Sequence, residues 1–536
     1  MNSIWLILVG IVLFIIAYRT YGSYLSKELG VDDNRKTPAH TKRDGVDYVP
    51  AKAPVVLGHH FSSIAGAGPI VGPISAAVFG WLPVMLWIII GGIFFGGVHD
   101  YGSLFASIRH DGNSIGEIIG DNVGKKGKKL FSIFSWLTLL LIIAAFTNIT
   151  ANTFVEVPSA ATSSLLFIVL AIIFGFLIYR KNLPLASTTI IGVILLFISI
   201  WIGMKFPLSI SKGAWIFILL GYIFVASIAP VWLLLQPRDY LCSFLLYALA
   251  IGGILGIFIA RPSLELEPFV AFNPGNNPMF PMLFVTVACG AISGFHSLVA
   301  SGTTSKQLDK ESDAKLVGYG GMLIECIIAI IAIITAGYIT KGEFTNLLND
   351  GGPVNVFSNG IGNFMATFGI PLTVGTSFAA LAVSAFAMTS LDTSTRLARF
   401  VFQEFFEEYK GEGNKESALT NRYVATLITV ILAGILAFKG WDAVWPLFGA
   451  ANQLLSALAL MALAVWLAHL GRDNKMFTIP MVFMFAVTLV ALLIIIKNNI
   501  SGGEPTLVIF SILLFILAII LLNEAKTHLT KEKERI

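Results

Sequence analysis

The chain has 536 residues, 56% of them hydrophobic and only 12% charged, with a net charge of +4 and a mean hydropathy of +0.82. Soluble domains carry about 25% charge, and no folded core would hide this much apolar surface from water. Intrinsic disorder, a disulfide scaffold and a collagen-like fibre are excluded by the same composition. What is left is an all-α polytopic membrane protein.

A spanning helix needs about 20 mostly apolar residues, and each must satisfy its own backbone hydrogen bonds. Fifteen stretches qualify in chain order: 3–18, 55–79, 82–107, 130–151, 162–179, 184–203, 214–235, 240–260, 279–301, 316–339, 370–395, 422–438, 446–468, 478–496 and 506–523. The runs from Trp136 to Ala145 and from Leu507 to Leu522 show no apolar–polar alternation, which excludes a β-barrel. The first stretch has basic residues after it rather than before it. It therefore reads as a retained helix with its N-terminus outside, not as a cleaved signal. Alternating from there puts 29 of the 35 Lys and Arg residues on the cytoplasmic side and six outside. That split is the positive-inside signature.

Most spans are rich in Leu, Ile and Phe, but the second and ninth are not. The second reads GHHFSSIAGAGPIVGP from Gly58, and the ninth reads CGAISGFHSLVASG from Cys289. Pro69 and Pro73 remove backbone donors, so the second span is expected to break where protein or water replaces the lost bonds. His59, Ser62, Ser63 and Gly66 share one helical face, and Ser293, His296 and Ser297 repeat the pattern. His60 points about 100° away from His59 on a regular helix. Small residues alone signal close helix packing, whereas ionisable groups at membrane depth mark a pathway or a binding site. His59, His60, Ser62, Ser63, Gly66, Gly68, Ser293, Gly294, His296 and Ser297 are therefore the candidate substrate site.

The second and ninth spans lie in corresponding places of two oppositely oriented five-helix sets, a pointer to an inverted-repeat transporter with discontinuous helices. The expected organisation is an extra first helix and cytoplasmic loop (1–54), a first repeat (55–203) and two linking helices (204–278). A second repeat (279–469) and two C-terminal helices with a cytoplasmic tail (470–536) complete it.

Four further features stand out. Thr389, Ser390, Asp392 and Thr393 near the end of the eleventh span are hard ligands suited to Na⁺ or H⁺ coupling, the plain alternative being an Asp392–Arg396 pair at i+4. His99, Asp100 and Glu325 are candidates for a gate or proton relay. Asn452 and Gln453 are expected to bond between helices. Gln236 to Tyr240 reads as a tight cytoplasmic turn, and 402–420 as a short helical linker. Cys242, Cys289 and Cys326 read as small buried hydrophobes. His59, His60, His99 and Asp100 lack a diagnostic metal spacing, and no metal, cofactor or nucleic acid is called for. Absence of a Walker A loop argues against ATP-driven transport, and absence of H-E-x-x-H and G-x-S-x-G motifs against an enzyme. The chain lacks a repeated filter motif of the kind that channels carry.

At these residues the sequence resembles the carbon starvation protein A (CstA) transporters, as a shorter member. The stretches that carry the resemblance are 58–73, GGVHDYGSLFASIRHDGNSIGEI (96–118), VWLLLQPRDYL (231–241), TSLDTSTRLARFVFQE (389–404) and WPLFGAANQLLSALAL (445–460). The resemblance implies a prokaryotic cytoplasmic-membrane importer used under carbon starvation, taking pyruvate or short peptides, with an APC/LeuT-like architecture. A half-helix N-terminus at membrane depth attracts an anion, and the candidate site offers few acids for a peptide's ammonium. Pyruvate carried by H⁺ or Na⁺ symport is therefore the first expectation and a di- or tripeptide the second. Partners expected besides the solute are membrane lipids.

Overall fold

The computed structural model describes residues 2–44, 48–181, 183–230, 233–407 and 418–533. Among the described residues, each of the fifteen apolar stretches contains helix. Twelve helices among the described residues are long and apolar enough to cross a membrane, the second stretch forms a pair of helices bent by 48°, and Lys212–Ile228 and Arg422–Ala437 are shorter apolar helices. The seventh helix stops at Ile228, earlier than its hydropathy suggests, because Ala229 turns to an extended conformation. The linker expected at 402–420 is helical to Glu407, where the eleventh span ends; residues 408–417 lie outside the described residues.

The spans differ widely in how far they are enclosed. The thirteenth span (Trp441–His469) is wholly enclosed, and the ninth and tenth are nearly so. The first, sixth and fifteenth lie at the rim and turn residues such as Ile190, Ile191 and Phe197 outward. An apolar residue exposed at the rim faces lipid, so the pattern is the inverse of a soluble core. Within the core the second span packs on the ninth, the third on the tenth and the fourth on the eleventh.

The second span runs as Ala53–Ile64, breaks at Ala65–Ala67 and resumes as Gly68–Ala76, with Pro69 in its first turn. Proline fits that position because its missing N–H is unsatisfied there in any helix. The ninth runs as Met279–Val287, passes through a short 3₁₀ turn at Ala288–Gly290, and restarts as Gly294–Gly302 after an extended Ser293. The third and tenth spans each carry a π-helical turn, at Gly92–Gly96 and Lys315–Gly320. Such turns relax the helix where partners approach closely. The longest of the helices outside the fifteen stretches is Lys341–Ala366, broken at Gly352 with φ 73°. Its start is a capping signature, since Thr340 Oγ1 accepts from Glu343 N at 3.3 Å.

Candidate functional site

The two breaks face each other. A Cβ on Gly68 would stand 2.6 Å from Cys289 Cβ, and one on Gly290 would stand 3.1 Å from Pro73 Cγ. A side chain at Gly68 would force the half-helices to shift, whereas one at Gly290 would make a tight contact that Pro73 must yield to by a few tenths of an ångström. Gly66 packs on Ser390 of the eleventh span, and Gly294 packs on the backbone of Asn452 in the thirteenth. Asn452 clamps the restart of the ninth span: its Oδ1 accepts from Phe295 N at 2.9 Å and its Nδ2 donates to Ser293 Oγ at 3.0 Å. Gln453 donates to the Phe284 carbonyl, so both amides bond between helices as expected.

Around this crossing lies a chain of buried ionisable groups from three spans. His99 Nδ1 donates to Asp100 Oδ1 at 2.7 Å, and His296 Nδ1 donates to Asp100 Oδ2 at 2.8 Å. His296 Nε2 stands 3.6 Å from Glu325 Oε2, too far for a hydrogen bond and near enough for charge to be felt. All four side chains are excluded from solvent. Both Glu325 oxygens and the Nε2 atoms of His99 and His296 have no hydrogen-bond partner among the described residues. Buried unsatisfied groups of this kind are costly and rare unless a site uses them.

The remaining candidates divide. His60 is fully buried and its Nδ1 lies 2.9 Å from Thr304 Oγ1, tying the second span to the ninth, whereas His59 is only half-buried. Ser62 Oγ is buried without a hydrogen-bond partner among the described residues, while Ser63 donates to the His59 carbonyl and Ser297 to the Gly294 carbonyl, both within their own helices.

The cluster at the end of the eleventh span does not converge on one point. Thr389 bonds back to the Ala385 carbonyl, and Ser390 turns to Gly66 with its hydroxyl unpartnered among the described residues. Thr393 is buried nearby. Asp392 is paired not with Arg396 but with Arg238, and also accepts from Tyr222 Oη at 2.8 Å. Arg396 instead donates to the Ala226 and Ala229 carbonyls at the end of the seventh helix, and Arg399 to Ser227. The turn expected at Gln236–Tyr240 is also corrected. Those residues open the helix Leu235–Ala260, with Pro237 in its first turn and both Arg238 and Asp239 buried. Arg238 and Tyr222 are the polar residues missed in the sequence. The available signal was an arginine and an aspartate set between the apolar runs VWLLL and YLCSFLL.

Paired discontinuous helices around a polar, buried crossing define the class: an all-helical, multi-span membrane fold built on two broken spans. A manganese transporter from Eremococcus coleocola shares this fold, with a TM-score of 0.53 at 12% identity over 92% of this chain and 99% of that one. More specifically, the family model for carbon starvation protein CstA matches residues 2–351 and 343–491, and the chain belongs to that family. It is 34% identical to the "Peptide transporter CstA" of Helicobacter pylori J99, covering 91% of this chain and 81% of that protein. To the Escherichia coli K12 "Peptide transporter CstA" it is 32% identical, covering 91% and 80%. To the "Pyruvate/proton symporter BtsT" of E. coli K12 it is 30% identical, covering 92% and 81%.

Proposed function

We propose that the protein is a secondary importer of a small carboxylate-bearing nutrient, driven by protons across the cytoplasmic membrane. The observation that carries the reading is the buried His99–Asp100–His296–Glu325 chain beside the break of the ninth span. Ionisable side chains kept from water at membrane depth are a means of moving protons. Here they join the third, ninth and tenth spans, so a proton passed along them couples to the relative position of those helices. The restart of the ninth span at Gly294 and of the second at Gly68 turn positive helix ends toward the crossing, which suits a carboxylate. Na⁺ coupling has less support, because Arg238 takes the carboxylate of Asp392.

Pyruvate is the first substrate reading, since Asp100 is already occupied by two imidazoles and the crossing is tightly packed. A short peptide is the second, favoured by Glu325, whose carboxylate oxygens have no hydrogen-bond partner among the described residues. The pairing of the second with the ninth span, the third with the tenth and the fourth with the eleventh supports two repeats at 55–203 and 279–469. The excess of Lys and Arg in alternate loops favours an N-terminus outside and a C-terminal tail in the cytoplasm.

Uptake of labelled pyruvate and of a labelled dipeptide into proteoliposomes tests the proposal. Saturable accumulation that a protonophore abolishes is expected. Non-saturable entry, or accumulation that follows Na⁺ and ignores the pH gradient, overturns it.

A further inference from the structure

Segments that join spans ordinarily lie exposed on the surface. Within the segment 30–41, on the face of the basic loops, Thr37, Pro38 and Ala39 are nonetheless buried. The segment lies against residues 307–312, which lead from the ninth span to the tenth. Thr37 Oγ1 donates to the Leu308 carbonyl at 2.6 Å, Ser312 N donates to Asp33 Oδ1 at 2.9 Å, and His40 Nε2 lies 2.8 Å from Asp309 Oδ1. Just beyond the segment, where the second span begins, Ala51 N donates to the Gln307 carbonyl at 2.9 Å.

Glu311 fastens the arrangement from two sides. Its Oε2 accepts from Asp32 N of the segment at 2.9 Å and from Arg109 Nη2 at 2.8 Å. The same Arg109 nitrogen donates to the Gly30 carbonyl at 2.7 Å. Glu311 is fully enclosed, and its Oε1 has no hydrogen-bond partner among the described residues. A buried carboxylate with an oxygen unpartnered is costly to hold, which favours a contact that can open over one built for stability alone.

What the segment ties together gives its role. Arg109 ends the helix Gly97–Arg109, which carries His99 and Asp100. Residues 307–312 follow the half-helix Gly294–Gly302, which carries His296, and precede the helix Gly321–Gly337, which carries Glu325. The segment thus joins the inner ends of the three spans that share the buried ionisable chain. At the opposite ends a cavity of about 310 Å³ reaches Thr286, one residue before the outer half-helix of the ninth span stops.

We propose that segment 30–41 is the latch of an inner gate. Fastened by Glu311, it holds the crossing shut toward the face of the basic loops, and it lifts for solute to leave on that side. Opening and closing of such segments set access in many proteins that enclose their substrates. The inference rests on the importer reading, of which it supplies the inner gate.

Cys289 sits at the break of the ninth span, 5% exposed, and is a native reporter of access to the crossing. The test is the rate at which a water-soluble maleimide labels it in the full chain in nanodiscs, read by mass spectrometry of the peptide that contains it. Glu311→Gln keeps the size of the side chain and weakens its hold on Arg109, and is expected to raise the rate at least fivefold. His40→Cys/Asp309→Cys, joined by a short reducible bis-thiosulfonate cross-linker, is expected to lower it at least fivefold, with recovery once the link is reduced. The same reagent, followed by the same reduction, should leave wild type unchanged. A rate that the link does not alter, or one equal in wild type and Glu311→Gln, overturns the latch. Labelling is read without transport. Latch-dependent labelling in a protein that moves no solute therefore keeps the latch and refutes the importer reading, whereas latch-independent labelling in a protein that accumulates solute refutes the latch alone.

Discussion

Removal of Asp100 perturbs two contacts at once. Its carboxylate accepts from His99 at 2.7 Å and from His296 at 2.8 Å, with all three groups sealed from water. A hydrogen bond to a charged group contributes about 1.5–3 kcal/mol. Asp100→Ala therefore costs about 3–6 kcal/mol, a large part of a typical total stability. Asp100→Asn keeps one acceptor and costs about half of that, since its amide nitrogen opposes one imidazole N–H. His296→Ala removes one of the two contacts. In the double variant Asp100→Ala/His296→Ala that shared contact is lost only once. The pair should thus be less destabilising than the sum of the singles by about 1.5–3 kcal/mol. Denaturant unfolding in detergent micelles, followed by tryptophan fluorescence, measures the four corners of the cycle. Additivity within about 0.5 kcal/mol would show that Asp100 and His296 do not interact and would refute the relay geometry.

Other substitutions probe the crossing and its surroundings. Gly72→Val drives a side chain into the Val287 carbonyl, so uptake should fall at least tenfold while Gly213→Ala, which meets open space, leaves it unchanged; transport assays on both variants check this. Arg238→Gln strands two buried carboxylates, Asp392 and Asp239, and should lose about 3–5 kcal/mol, with Asp392→Asn restoring part of the loss in the double variant. Thermal unfolding of the three variants decides it. Asn452→Ala leaves the Phe295 N–H and Ser293 hydroxyl without their partner and should cost about 1–3 kcal/mol, measured by the same unfolding assay.

Much of the scaffold was legible because membrane spans announce themselves by length, and breaks by Gly and Pro. The interruption at Ala65–Ala67 follows from Gly66, Gly68 and Pro69, whose backbone preferences are local. His296, Asp100 and Glu325 were each conspicuous as ionisable groups in apolar surroundings. Their convergence was not legible, since Asp100 and His296 are 196 residues apart and periodicity gives a residue's face but not its partner. Local rules also misled. The i+4 spacing offered Arg396 to Asp392, and the tertiary fold delivered Arg238 instead. Pro237 suggested a turn, yet proline in the first turn is compatible with a helix. The helix Lys341–Ala366 went unseen because it is polar and carries Gly351, Gly352 and Pro353, and only its Thr340–Glu343 cap signals it.

Glu325→Gln offers the sharpest test of proton coupling through the buried chain. The substitution preserves size at a fully enclosed position and removes the titratable group nearest His296 Nε2. With one proton per solute, an inward gradient of one pH unit is worth about 1.4 kcal/mol and sustains about tenfold accumulation. Wild-type proteoliposomes should reach that ratio, whereas Glu325→Gln should equilibrate solute without concentrating it and still catalyse counterflow exchange. Tenfold, protonophore-sensitive accumulation by Glu325→Gln would contradict the account.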